Sequence, residues 1–173
     1  MRKIILGLAV SLDGFIEGPN GEYDWCFTDQ DYGLQAFFEH VDTVFYGRKT
    51  YQQFQTMGGT LPGWPTFKEY VFSQTLSPAD LKPGVQLITE VSKEAVDRIR
   101  QEPGKDIWLF GGASLTASLL ELGRVDVLWL AVHPILLGSG KRLFPPNDSR
   151  RPLQLLDSKT YSTGLVSLTY AFV

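Results

Sequence analysis

The stretch DIWLFGGASLTASLLELG at residues 106–123 constrains this chain more than any other. Ile107 to Phe110 are apolar at every position, the pattern of a strand covered on both faces. Gly111 and Gly112 then let the backbone turn where a Cβ would obstruct it. Ser114 is placed to cap a helix, with Leu115, Leu119 and Leu122 along one face. Gly123 falls where a helix C-cap belongs. Strand, glycine turn and helix leave a helix N-terminus beside a turn without side chains. The macrodipole puts roughly +0.5 charge there, which suits a phosphate. A tight turn has the same local pattern, so a second anion site elsewhere in the chain has to support the reading.

That second site is a second junction of the same kind. Thr43 to Tyr46 reads as a short buried strand, and Gly47-Arg48-Lys49-Thr50 leads into a helix through Tyr51 and Phe54. Arg48 and Lys49 add full charges, and an arginine can grip a phosphate through two parallel hydrogen bonds. A solvated Arg-Lys pair is the bland alternative. Ser73, at the end of a third strand (Tyr70 to Phe72), can donate to the same phosphate or serve as a turn residue.

The rest of the chain gives these junctions a common frame. Lys3 to Val10, Val85 to Thr89 and Val125 to Val132 read as further strands, and Ser92 caps a helix carrying Ala95, Val96 and Ile99. Asp29 or Asp31 opens a first helix running through Val41. Leu153 to Leu156 and Leu165 to Phe172 read as a closing antiparallel hairpin, and Gly138 to Phe144 as a loop. About eight strands and four helices, alternating in the middle, predict an α/β fold with a mainly parallel sheet and an antiparallel edge. In such a sheet ligands bind beyond the carboxyl ends of the strands, where both glycine junctions lie.

Composition removes several function classes. The 173 residues carry a net charge of -3 with no basic block, which gives general nucleic-acid binding no electrostatic support. One cysteine, Cys26, and two histidines, His40 and His133, allow neither a disulfide framework nor a zinc-ligand spacing, so no metal is expected. The apolar run after Lys3 is short and soon meets Asp13, so it reads as a strand and not a signal peptide. No run is long enough to span a membrane, and the expected compartment is the cytoplasm. A single domain over 1–173 accommodates the whole chain. No phosphate-binding loop of the G-x-x-x-x-G-K-[ST] form occurs. Asp13, Asp29 and Asp31 are candidate proton donors, with capping as the alternative role. His133 reads as closing a strand, and Cys26 as a plain thiol.

Three groups of residues carry a family resemblance. They are Ser11-Leu12-Asp13-Gly14 after the first strand, Gly111 to Leu115 with Leu119, Leu120, Gly123, Val125 and Asp126, and Pro134 to Gly140 with Leu143 and Phe144. In this order they resemble the dihydrofolate reductase superfamily. The resemblance is closest to the branch that includes the C-terminal reductase domain of the riboflavin-biosynthesis deaminase/reductase. Gly47 to Tyr51 is more similar to dihydrofolate reductase itself. The resemblance implies a three-layer dihydrofolate reductase-like fold and hydride transfer from NADPH to a small heterocycle. A ribosylaminopyrimidine of riboflavin synthesis is the leading substrate, and a pterin or folate is second. A non-catalytic nucleotide-binding protein of the same fold is the reading from another class. The implied cofactor residues are Gly47, Arg48, Lys49, Thr50, Ser73, Gln74 and Gly111, Gly112, Ala113, Ser114, Leu115. Ser11, Asp13 and Trp25 would line the substrate side, and Asp13, Asp29 or Asp31 would relay the proton. Lys141 and Arg142 are conceivable contacts for a substrate phosphate. Members of this branch commonly pair, so a homodimer is expected.

Overall fold

A computed structural model describes residues 1–173. In chain order the elements are β1 (Ile4–Ser11), β2 (Phe15–Glu17), α1 (Leu34–Phe38), β3 (Val41–Gly47), α2 (Arg48–Thr56), β4 (Lys68–Phe72), β5 (Gln86–Ile88), α3 (Lys93–Gln101), β6 (Asp106–Gly111), α4 (Ala113–Glu121), β7 (Val127–His133), β8 (Lys141–Arg142), β9 (Leu153–Thr160) and β10 (Val166–Phe172). Eight strands form one sheet in the order β5-β4-β3-β6-β1-β7-β10-β9. Pairing is parallel from β5 to β7 and antiparallel where β10 meets β7 and β9. This is the α/β architecture expected from the sequence.

Alternation along the central strands sorts their apolar side chains into two layers. Ile4, Leu6, Phe45, Phe72, Ile107, Leu109 and Leu128 face one way, under Val96 and Ile99 of α3 and Leu115 and Leu119 of α4. Ile5, Val44, Tyr46, Val71 and Trp108 face the other, against Phe37 and Phe38 of α1 and Tyr51 and Phe54 of α2. Strands buried on both faces must be apolar throughout, which is why β1 and β6 show no polar alternation. Fully burying each such side chain is worth roughly 1.5–3 kcal/mol, and the two layers clamp the sheet from both sides.

Four local expectations are corrected. The first helix does not run from Asp29 or Asp31 to Val41: it occupies only Leu34–Phe38, because Tyr32 and Gly33 have φ of 51° and 86° and break any earlier turn. Ser114 is not the N-cap of α4. Gly112 holds that place at φ 91°, and no side chain caps the helix. The loop around Lys141 contains a short strand, β8, paired with β2. Finally, β9 continues past Leu156 to Thr160 and is exposed along its whole length.

Candidate functional site

The chain order reverses direction between β3 and β6. From β3 the chain passes through α2 on one face to β4; from β6 it passes through α4 on the other face to β7. Crevices at such points, outside the carboxyl ends of the strands, are where open α/β sheets bind ligands. Here the starts of α2 and α4 come together. Tyr46 and Gly111 pair across the two strands. A Cβ built on Gly112 would stand 3.2 Å from Thr50 Oγ1 and 3.5 Å from Gly47 Cα. Gly111 and Gly112, at φ 124° and 91°, adopt backbone that other residues rarely reach. Neither helix has an acidic residue in its first turn or a side chain capping it, so their leading N–H groups have no side-chain partner.

These junctions border a cavity of about 1560 Å³. Ordinary small-ligand pockets span roughly 300–1,000 Å³, so this one has room for a dinucleotide and a second molecule together. All eleven residues named from the sequence for the cofactor line it: Gly47, Arg48, Lys49, Thr50, Ser73, Gln74 and Gly111 to Leu115. Arg48 and Lys49 are exposed and make no ion pair. Ser73 is also a turn residue, its Oγ accepting from the N–H groups of Thr75 and Leu76 at 3.1 Å each.

Beyond β6 the cavity runs across β1 to β7 over an aromatic wall. Trp108 of β6, Gly7 of β1 and Trp129 of β7 lie side by side on neighbouring strands. Gly7 is required there: a Cβ would sit 2.9 Å from Trp108 Nε1 and 3.1 Å from Trp129 Cε3. The Trp108 indole N–H donates instead to Gly7 O at 2.8 Å. Phe37 stacks on Trp129 with ring centroids 4.4 Å apart, and Phe110 and Trp64 pack against Trp108 at 4.8 and 5.1 Å.

The residues named for substrate and proton transfer are less concentrated. Ser11, Asp13 and Trp25 lie outside the cavity lining, as does Asp29. The buried Ser11 hydroxyl donates to Asp13 at 2.6 Å and accepts from Phe15 N–H. Asp13 also accepts from the N–H groups of Leu137 (3.1 Å) and Gly138 (2.8 Å). The Ser11 hydroxyl first, then these amides, hold its carboxyl below the usual carboxylate range. So held, Asp13 is a clamp between the end of β1 and the loop after β7. Asp29 accepts from the Tyr32 hydroxyl at 2.6 Å. Asp31 alone of the three borders the cavity, and it also caps α1, accepting from Gly33 and Gln35 N–H at 3.0 Å each. Trp25 packs edge-on against His133.

His133 does more than close a strand. Buried at the end of β7, its Nδ1 lies 2.9 Å from Ala131 O, and its Nε2 accepts from Phe27 N–H at 3.1 Å. These two bonds require the neutral ring protonated on Nδ1. Burial keeps its pKa below the ordinary histidine value. The ring thereby pins the segment carrying Cys26 and Phe27 to the sheet, at the edge of the cavity. No local sequence signal announces this role, because the partner is a backbone N–H more than a hundred residues away. Burial, and secondarily the Asp24 charge, push the Cys26 thiol up to about 11, so it is protonated at neutral pH and no nucleophile. No group of three or more His, Cys, Asp or Glu side chains forms a metal site. No helix is long and apolar enough to cross a membrane.

Comparison with known proteins gives a consistent answer. Residues 2–167 match the RibD C-terminal domain. Two Bacillus subtilis (strain 168) proteins of uncharacterized function are similar. YyaP is 42% identical over 98% of this chain and 94% of its own length, and YwjB is 34% identical over 95% of each. Among solved structures, a Shewanella sp. PV-4 protein assigned to riboflavin biosynthesis superposes with a TM-score of 0.81 at 25% identity, covering 100% of this chain and 99% of that one. A Thermotoga maritima diaminohydroxyphosphoribosylaminopyrimidine deaminase/5-amino-6-(5-phosphoribosylamino)uracil reductase superposes with a TM-score of 0.73 at 16% identity. That match covers 99% of this chain and 57% of that one.

Proposed function

For a chain that belongs to the RibD C-terminal domain family, we propose an NADPH-dependent reductase that transfers hydride to a small flat heterocycle of the aminopyrimidine or pterin kind. The observation that carries this reading is the meeting of two uncapped helix starts, with Arg48 and Lys49 beside them, at one end of a cavity whose other end is aromatic. The residues fit the cofactor. Gly47 and the Gly111-Gly112 turn give close backbone approach to a pyrophosphate, and Arg48 and Lys49 offer charge for a 2′-phosphate. The reductase activity named for the Thermotoga maritima neighbour supports the reaction class.

NADPH supplies the hydride when bound. The chain's own work is to hold the phosphates, lay both rings along the Trp108–Trp129 wall and exclude water from between them. The site spans β3 to β7, three strand spacings or roughly 14 Å. That distance separates the phosphate end from the aromatic end and suits an extended nucleotide. We assign the proton relay to Asp31, because it is the carboxylate of the three that borders the cavity.

The test compares NADPH and NADH by calorimetry on wild type and on Arg48→Ala. A charge-assisted contact to the 2′-phosphate is worth roughly 1.5–3 kcal/mol when well sheltered, and less for an exposed arginine such as this one. Arg48→Ala should therefore weaken NADPH about tenfold and leave NADH nearly unchanged. Equal losses for the two nucleotides would remove the 2′-phosphate from this position.

A further inference from the structure

The cavity has its unpaired cations at one end only. At the β3–β6 end neither helix start carries an acidic residue and Arg48 and Lys49 make no ion pair, with Glu90, after β5, the one carboxylate bordering the cavity on that side. At the β1–β7 end, two groups that could have held an anion each carry a carboxylate of the chain's own. Asp31 takes the N–H groups of Gly33 and Gln35 at the start of α1, a helix of five residues with no room for a second anion. Glu17 Oε1 lies 3.6 Å from Lys141 Nζ, the third cation of the lining. The neighbouring Arg142 is not in the lining, and its guanidinium lies over the Phe15 ring, 4.9 Å from the centroid.

The charged side chains bordering this half are thus Glu17, Lys141 and Asp31, one more negative than positive. The same cavity is lined by Trp108, Trp129, Trp64 and Phe110. A phosphate monoester carries about −1.5 to −2 charges at neutral pH. Entering here, it would lose water and gain no unpaired cation in exchange. A planar ring without charge loses little water and gains stacking against indole faces.

We propose that the second ligand of this site carries no phosphate: it is a flat, uncharged heterocycle, selected because the one cation of that half is paired with Glu17 and its walls are aromatic. The proposal rests on the reading above and narrows its substrate class. It separates this chain from a reductase acting on a phosphoribosyl compound, the kind of substrate named for the Thermotoga maritima neighbour.

The experiment is calorimetric. The protein, with NADPH present, is titrated with 5-amino-6-(5-phosphoribosylamino)uracil, with the same compound after phosphatase treatment, and with an unphosphorylated dihydropterin. At least one unphosphorylated ring should bind, and removal of the phosphate should tighten the pyrimidine by about tenfold or more, a difference of about 1.4 kcal/mol. Lys141→Gln should leave the ratio between the two pyrimidines within about twofold of wild type, the ordinary scatter of a surface substitution. Tighter binding of the phosphorylated compound, or a loss confined to it in Lys141→Gln, overturns the proposal. So does failure of every unphosphorylated ring to bind. NADPH affinity is measured first and separately. If NADPH does not bind, the cofactor reading fails on its own, and the three compounds titrated without it still report the phosphate preference.

Discussion

Replacing Gly112 by alanine separates the backbone argument from the binding argument. At φ 91° and ψ 123° this residue holds a conformation that an L side chain reaches only with strain. Such strain costs of order 1–3 kcal/mol. The new Cβ would also press Thr50 Oγ1 at 3.2 Å, a contact that a small rotation of the threonine can relieve. The expected loss is therefore about 2 kcal/mol, which in a chain of this size lowers Tm by roughly 4–8 °C. The same methyl would fill the gap between Gly112 and Gly47, where the pyrophosphate is proposed to approach. Gly123→Ala is the control. Gly123, at φ 63°, closes the far end of α4 and does not line the cavity. Its loss should be similar in kind, about 1 kcal/mol, with no effect on the nucleotide. Thermal unfolding and NADPH calorimetry on both variants are read together. Gly112→Ala should lower Tm and weaken NADPH by more than tenfold, while Gly123→Ala lowers Tm alone. An unchanged Tm in Gly112→Ala would refute the backbone assignment. Equal NADPH affinity in both variants would refute the placement of the phosphates.

Other outcomes follow from the same geometry. Gly7→Ala forces a Cβ to within 2.9 Å of the Trp108 indole, and overpacking of this kind costs about 1–3 kcal/mol. Denaturant unfolding should show that loss, and a neutral result would mean that the two indoles are not held side by side. His133 is buried neutral, with a folded pKa below the ordinary 6.5. A depressed pKa means that the unfolded chain binds the proton first. Its contribution is thus fully present above pH about 6.5 and is lost as the pH falls from there toward the folded pKa. Unfolding measured against pH should show this component in wild type and lack it in His133→Asn, and identical pH slopes would contradict the clasp on Phe27. Asp31→Asn keeps one of the two oxygens that accept from the Gly33 and Gln35 amides and removes a transferable proton. It should slow NADPH oxidation by about a hundredfold or more with folding intact, and undiminished turnover would take the proton relay away from Asp31.

Much of the frame was legible in the sequence because its signals are local. An unbroken apolar run such as Ile107 to Phe110 can only be a strand covered on both sides, and paired glycines after such a strand announce where the sheet ends. Two junctions of that type mark residues that line the cavity, Gly47 to Thr50 and Gly111 to Leu115. What stayed hidden depends on partners far along the chain. The pairing of Phe15 and Glu17 with Arg142 and Lys141 joins segments with no common pattern. Asp13 looked like a proton donor because nothing nearby shows that Leu137 and Gly138 point their amides at it. Asp31 does cap the first helix, as a residue of its type should. The helix nevertheless starts only at Leu34, because Tyr32 takes a positive φ that its side chain gives no warning of. The tautomer of His133 is fixed by Ala131 and Phe27, and the second of these lies far along the chain.

The central claim is that one nicotinamide dinucleotide lies across the sheet with its phosphates between the two glycine-started helices. A crystal structure of the NADPH complex tests it directly. The account predicts the pyrophosphate within hydrogen-bonding distance of backbone N–H groups at the starts of α2 and α4, the 2′-phosphate beside Arg48, and the nicotinamide toward β1 and β7. A nucleotide bound elsewhere on the protein, with no phosphate at either helix start, would contradict it.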